Sequence, residues 1–375
     1  MRILISAGEA SGDLYAAELA RRLRARHPEI ELFGCAGPRM AEAGVRRVVD
    51  ASSLAVVGLV EVLRHVPRIH REYRKLIAAA RRERPRLAVL TDNPGFHLRV
   101  ARALRREGIP VVQLVAPQVW AWRRWRLRRL RRDVEKLLCI FPFEEAFFRR
   151  HGVNAVYIGH PLARLIEART TREEFFARHG IPEDSPLVVL LPGSRPGEAG
   201  RHLPVVAEAA ERIRRRRPAS FLLAVPPGAR QGWGARFWEP ISGSAIQIIE
   251  GETWDAIAHA DLALAASGTV TVEAALLGTP MVTFYRVSPV TWRLGRVLVR
   301  VPFYSMVNLI AGREVAPELI QNRCAPELLA AEALRLLDDT AARRQMKREL
   351  KTVQEILSTD ADPMETAAQL VEELI

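Results

Sequence analysis

Two doubly wound α/β domains with parallel sheets are what this sequence predicts, on three observations. At 375 residues the chain is longer than one hydrophobic core usually accommodates. Short apolar runs at 187–191, 221–225, 246–249, 262–265 and 281–284 read as buried strands, and helical patterns separate them. The first half alternates in the same way, and strands separated by helices imply βαβ units. A polar stretch between 159 and 186 divides the halves. The expected bounds are a first domain at 1–165, a second at 166–341, and a C-terminal helix at 342–375 that packs back on the first domain, the two domains facing across a cleft.

Composition narrows the class. Hydrophobic residues make up 49% and charged residues 26%, as in ordinary globular proteins. Cys35, Cys139 and Cys324 show no metal spacing and no pairing pattern, which suits a reducing compartment. The first residues, Met1-Arg-Ile-Leu-Ile, run directly into a strand, so no signal peptide is expected. No apolar run approaches the roughly 18–20 residues of a membrane span. The net charge of +13 is unusual, and 52 of the 56 basic residues are arginine. Such an excess favours an anionic partner.

In chain order, residues 2–6 form the first expected strand, followed by a loop and then a helix from 14 to about 26 with Leu19 and Leu23 on its apolar side. The loop, Gly8-Glu-Ala-Ser-Gly-Asp13, is no GxGxxG fingerprint. Either it cradles a phosphate or sugar with Glu9, Ser11 and Asp13, or it is a tight turn with Asp13 as a helix cap. Further strands are expected at 32–34, 87–91, 111–115, 137–140 and 155–158. In such sheets ligands bind beyond the carboxyl ends of the strands. Asp92, in Thr91-Asp-Asn-Pro-Gly-Phe-His97, stands at such an end, which suits a general base, although an Asx turn explains it equally. In the 54–66 segment, Val56, Leu59, Val60 and Leu63 fill one stripe, leaving Val57, Val62 and Val66 for a second face near Arg64, Arg68 and Arg71. That second face fits a membrane surface or acyl chains, or a helix buried on both sides. Residues 120–132 hold three tryptophans and seven arginines, with Leu127, Leu130, Val134 and Leu137 at helical spacing. The mixture suits nucleic acid, an anionic interface or a solvated helix face.

In the second half, Leu191-Pro-Gly-Ser-Arg-Pro-Gly-Glu198 follows a strand, and Arg195 can set a bidentate guanidinium on a diphosphate. At 261–280 a strand, the small residues Ser267-Gly268-Thr269 and a helical pattern ending at Gly278 make an anion site of free N–H groups and helix dipole, or a plain strand–turn–helix. Glu273, one turn on, suits a ribose diol. A third segment, 304–321, interleaves Asn308, Arg313, Glu314, Glu318 and Gln321 with apolar residues, Glu318 and Gln321 sharing a helix face. These loops show no Asp-x-Asp metal pair and no histidine cluster, so no metal and no cofactor are expected.

Together, Gly8–Asp13, the 54–63 segment, Pro117-Gln-Val-Trp-Ala-Trp-Arg123, Phe141-Pro-Phe-Glu144, Ile158-Gly-His-Pro161, Leu191–Arg195, Ala266–Glu273 and 308–321 resemble the lipid-A-disaccharide synthase family almost end to end. The resemblance implies a glycosyltransferase-B fold with the acceptor domain first and the nucleotide domain second. It implies an inverting, metal-independent hexosyltransferase, peripheral on the cytoplasmic face of the inner membrane of a Gram-negative-type bacterium. The donor would be UDP-2,3-diacylglucosamine, the acceptor 2,3-diacylglucosamine 1-phosphate, and the products a β-1,6 lipid A disaccharide and UDP. Asp92 would be the catalytic base, Arg195 would meet the diphosphate, Ser267, Gly268 and Thr269 the phosphate, and Glu273 the ribose. Glu9, Ser11, Asn308 and Gln321 would bind donor or acceptor. His97 stands where the family pattern has asparagine, and Pro196-Gly197 vary the loop after Arg195. Two rivals remain: a UDP-N-acetylglucosamine 2-epimerase of the same architecture, and an arginine-rich RNA-binding protein centred on 120–132. The family reading itself expects no nucleic-acid partner and leaves a homodimer open.

Overall fold

The computed structural model describes residues 1–54, 59–299 and 301–375, with the backbone alone at 59–65, 294 and 297. The chain divides into two compact units, Met1–Arg164 with Leu357–Ile375, and Leu165–Ile356.

Unit 1 is built on a parallel sheet of β1 (Arg2–Ala7), β2 (Glu31–Ala36), β3 (Arg46–Asp50), β4 (Leu87–Thr91), β5 (Val111–Leu114), β6 (Lys136–Cys139) and β7 (Ala155–Tyr157). The order is β3-β2-β1-β4-β5-β6-β7. The central strands carry Ile3, Leu4 and Ile5 on β1 and Leu87, Ala88, Val89 and Leu90 on β4, all fully buried, because helices cover both faces. β3 was not among the expected strands. It is an edge strand whose first two residues, Arg46 and Arg47, are exposed, so it lacks the apolar run of its neighbours. The first helix spans Ala10–Arg26, starting four residues before the expected 14 and taking Ser11, Gly12 and Asp13 into its first turn. After Arg123 a 3-10 turn at Arg124–Arg126 leads into a short α-helix, Leu127–Asp133; Val134 and Leu137 lie past its end, and Leu137 is on β6.

Unit 2 repeats the scheme with β8 (Leu187–Leu191), β9 (Ser220–Val225), β10 (Ile246–Glu250), β11 (Leu262–Ala266), β12 (Met281–Tyr285) and β13 (Glu318–Ile320), in the order β10-β9-β8-β11-β12-β13. β8 and β11 are buried along their whole length. β13 replaces the helix face expected for Glu318 and Gln321, since its three residues pair with Thr283, Phe284 and Tyr285.

The C-terminal region is two helices, not the single one expected at 342–375. Thr340–Leu357 lies in unit 2 up to Ile356, and Pro363–Glu372 packs in unit 1 against Ala10–Arg26. Asp362 caps the second helix by accepting from Met364 N (2.7 Å) and Glu365 N (3.1 Å), with Pro363 at its first turn. Met364, Ala367, Ala368 and Val371 are its buried face. No described helix is long and apolar enough to cross a membrane.

Candidate active site

Each sheet has a topological switch point, where the strand order reverses and a crevice opens at the strands' carboxyl ends. In unit 1 that point lies between β1 and β4, whose register runs Ala7 opposite Thr91. The next residues are Gly8 and Asp92. The Gly8 N–H donates to Asp92 Oδ1 (2.9 Å) and the Glu9 N–H to Oδ2 (3.0 Å). The carboxylate therefore sits on the N-terminus of the Ala10–Arg26 helix, held by two backbone amide donors. Asp92 and Asn93 both have positive φ, 58° and 31°, which swings the carboxylate toward β1. Gly12 makes room for it, because a Cβ there would lie 1.7 Å from Asp92 Oδ2.

The histidine five residues on holds this turn. His97 Nδ1 lies 3.0 Å from the Asp92 carbonyl, which can only accept, so Nδ1 carries the proton. Nε2 then accepts from the Ser6 hydroxyl at 2.8 Å. Burial pushes the imidazole down to about 4, so the ring is neutral. Of the other motif residues, Asp13 has a structural place. Its carboxylate accepts from the backbone N–H groups of Gly37 (2.8 Å), Arg39 (3.0 Å) and Met40 (3.2 Å), capping the Pro38–Glu42 helix after β2. Glu9 is half-buried at the N-cap and Ser11 half-buried in the first turn.

In unit 2 the switch point lies between β8 and β11, which pair directly. The loop after β8 carries Gly193, Ser194 and Arg195, and Arg195 is the N-cap of the Pro196–Arg216 helix. Gly193 has φ 119°, and a Cβ there would come within 2.9 Å of the Glu198 carboxyl carbon, so the loop folds tightly over its own helix. The loop after β11 is Ser267-Gly268, and Thr269 begins an eight-residue helix. Thr269 is exposed, while Glu273 is half-buried one turn later. The Ser267 hydroxyl donates to the Tyr304 carbonyl at 2.6 Å, and its N–H to Phe284 O at 2.8 Å. Arg195, Ser267, Gly268, Thr269 and Glu273 are thus gathered at the carboxyl ends of two adjacent strands.

Asn308 and Gln321, expected to bind donor or acceptor, are both engaged with backbone groups of the protein. The Asn308 side chain is buried; its Oδ1 accepts from Val315 N (2.8 Å) and Ala316 N (2.9 Å), and its Nδ2 donates to Ala316 O (2.8 Å) and Glu318 Oε1 (2.9 Å). Gln321 pins Val287 through both backbone groups, at 3.1 and 3.0 Å. Glu318 collects Tyr304 N, Ser305 N and the Ser305 hydroxyl at 2.9, 2.9 and 2.7 Å.

Sequence reasoning missed His202, which is buried in the Pro196–Arg216 helix. Its Nδ1–H donates to Pro192 O (2.7 Å) and its Nε2 accepts from Arg286 N (3.0 Å), tying the loop after β8 to the loop after β12. Burial lowers its pKa, consistent with that neutral tautomer. Tyr285 was missed too; burial and the neighbouring Glu198 push its hydroxyl up to about 12, while Arg195 and Arg201 pull the other way. Isolated residues inside a helix or at a strand end carry no spacing signal.

Of the expected membrane-facing valines, Val57 lies outside the described residues and only the backbone of Val62 is described. Val66 is 46% exposed on the Leu59–Glu83 helix. Among the described residues no group of three or more His, Cys, Asp and Glu has a metal-binding arrangement.

A family profile described as Lipid-A-disaccharide synthetase matches residues 3–372. The chain is 58% identical over 374 residues to the lipid-A-disaccharide synthase of Solibacter usitatus, covering 100% of this chain and 97% of that protein. Among solved structures it resembles a UDP-GlcNAc 2-epimerase from Neisseria meningitidis bound to UDP-GlcNAc, with TM-score 0.67, 12% identity and coverage of 100% and 99%. It also resembles a glycosyltransferase from Rickettsia africae, with TM-score 0.62, 11% identity and coverage of 100% and 98%. At such identities these two share the fold alone, the glycosyltransferase-B type, and the likeness to the epimerase carries no activity with it. Neither the epimerase nor the RNA-binding alternative is favoured beside the full-length match: the chain belongs to the lipid-A-disaccharide synthase family and is a hexosyltransferase of lipid A biosynthesis.

Proposed function

We propose that the chain joins UDP-2,3-diacylglucosamine to 2,3-diacylglucosamine 1-phosphate, giving the β-1,6-linked disaccharide 1-phosphate and UDP. The observation that carries this reading is the pair of loops, 192–195 and 267–269, at the switch point of unit 2. A diphosphate there meets the Arg195 guanidinium and the N–H groups that open the Thr269–Leu276 helix, while Glu273 takes the ribose hydroxyls.

Asp92 is the base. An alcohol ionises far above neutrality, so the acceptor 6-hydroxyl must give up its proton as its oxygen attacks the anomeric carbon. The proton passes to the Asp92 carboxylate. The bond from the anomeric carbon to the diphosphate oxygen breaks on the opposite face, and UDP leaves with the electron pair. Attack opposite the leaving group inverts the centre. Gly8 N–H and Glu9 N–H each take one lone pair of the carboxylate and fix its direction, and each oxygen has a second for the incoming proton. Charge growing on the diphosphate is met by Arg195 and the helix terminus, without a metal or a cofactor. The protein works as a peripheral protein on the cytoplasmic face of the inner membrane of a Gram-negative-type bacterium, where both lipid substrates lie.

Incubation of the purified chain with the two acylated sugars, followed by mass detection, tests the assignment. The expected result is the disaccharide 1-phosphate with one UDP per product. UDP release without a disaccharide, or an epimerised sugar nucleotide, overturns it.

A further inference from the structure

Among the described residues, unit 1 exposes three large apolar side chains, Val66, Trp122 and Trp125, the tryptophans by 38% and 56%. All three belong to one edge. The helices Leu59–Glu83, Pro94–Arg106 and Leu127–Asp133 each begin beyond the carboxyl end of a parallel strand, β3, β4 and β5. Pro94–Arg106 packs against both of the others, so the three form one layer with their N-termini at the same rim. Asp92 lies at the head of the middle helix. Val66 is in the second turn of one flanking helix, and Trp122 and Trp125 stand just before the other.

The charge around the tryptophans is uncompensated. Arg21, Arg22, Arg26, Arg81 and Arg105 of unit 1 each pair with a carboxylate. No such pair forms for Arg123, Arg124, Arg128, Arg129 or Arg131 among the described residues. Three of them lean on aromatic rings instead: Arg123 lies 3.9 Å from the Trp122 centroid, Arg124 5.9 Å from that of Phe147 and Arg129 4.9 Å from that of Trp125. Arg126, buried beneath them, is pushed down to about 10 by burial and by Arg123 and Arg129. Beside Trp125 a shallow depression of about 480 Å³ is lined by Arg124, Leu127, Arg128, Arg131 and His151. Exposed indole rings among unpaired guanidinium groups match the headgroup layer of an anionic bilayer, where indole settles and arginine meets phosphate.

We propose that the 122–131 surface docks unit 1 on an anionic phospholipid bilayer, on the other flank of the Asp92 turn from Val66. The inference rests on the peripheral-membrane reading above and adds a second contact to it. With one contact on each side, the Asp92 rim faces the headgroups from which a lipid acceptor arrives. Each arginine near an anionic surface changes partition roughly fivefold, so three together are worth roughly a hundredfold.

The test uses the full chain and co-sedimentation with vesicles of phosphatidylcholine, with or without about 30% phosphatidylglycerol, in about 0.1 M salt. Wild type is expected to bind the anionic vesicles. The Arg124→Gln/Arg128→Gln/Arg131→Gln variant is expected to bind them roughly a hundredfold more weakly, and Trp125→Ala several-fold more weakly. Both should keep the wild-type thermal midpoint and the wild-type turnover of detergent-dispersed substrates. If wild type ignores the vesicles, the membrane reading falls and this inference with it. If wild type binds, Val66→Asp releases it and the arginine variant binds as wild type does, only this inference falls. Loss of affinity for a single-stranded RNA oligonucleotide with vesicle binding intact assigns the patch to nucleic acid and overturns it as well.

Discussion

At position 12 a methyl group would sit 1.7 Å from Asp92 Oδ2, inside a helix where alanine is otherwise the better residue by about 0.5–1 kcal/mol. Gly12→Ala should therefore displace the carboxylate rather than steady the helix. The expected outcome is a fall in kcat of about a hundredfold or more, since small misplacements of a reacting group cost that much. UDP affinity should be unchanged, because the loops proposed to hold the diphosphate belong to unit 2. Asp92→Asn should behave likewise, keeping UDP binding and losing turnover; near-normal turnover in either variant would count against Asp92 as the base. For Arg195→Ala the expected loss is in UDP affinity, read by titration. His97 supplies a pH prediction. Its folded pKa, about 4, lies below the ordinary 6.5, so the unfolded chain binds the extra proton between these values. The stabilisation from the neutral ring is complete above pH 6.5 and is lost as pH falls toward 4, by at most about 1.4 kcal/mol per pH unit. His97→Asn should flatten the thermal midpoint across that window relative to wild type. An identical slope would show that the ring is not the group that titrates.

The segment between β12 and β13 shows best what elements disclose and what they conceal. Polar residues at 308, 318 and 321 stood out in the sequence as more than packing required, and each of them does hold something. What they hold is backbone. A three-residue strand such as Glu318–Ile320 is too short to show a period of two, so Glu318 and Gln321 were read at helical spacing, and polar side chains without a visible backbone partner were read as facing ligand. The buried strands β8 and β11 are legible because five consecutive apolar residues, bounded by Pro186 and Pro192 or by Asp261 and Ser267, leave few alternatives. Likewise Asp362-Pro363 is a helix start that could have been recognised, and it breaks the expected 342–375 helix. Glu318 now carries a prediction at this scale. It orders Tyr304 and Ser305, and the Tyr304 carbonyl holds the Ser267 hydroxyl of the proposed phosphate loop. Glu318→Gln sets an amide against the Tyr304 N–H, at a cost of about 1–3 kcal/mol. UDP affinity should fall with it, although Glu318 touches no phosphate. A variant that loses thermal stability and titrates UDP as wild type does would break the chain from Glu318 to Ser267.

At the scale of the whole molecule, each unit has its own sheet and core, and each carries a different part of the proposed chemistry: Asp92 in unit 1, the loops proposed to hold the diphosphate in unit 2. Separate cores of this kind open as separate cooperative units unless something couples them. Two perturbations of opposite sign should then stay local. UDP at about a hundred times its Kd stabilises whatever binds it by about 2.7 kcal/mol. Slower hydrogen exchange is expected in β8, β11 and the Pro196–Arg216 helix, with β1 and β4 unmoved. In the other direction, Val371 is fully buried on the helix that packs against Ala10–Arg26, and Val371→Ala removes two methyl groups at a cost of about 1–3 kcal/mol. Its exchange should quicken in β1, β4 and Ala10–Arg26, at the far end of the chain from the substitution, and leave β8 and β11 as they were. If UDP instead protects β1, or Val371→Ala loosens β11, the two units open as one.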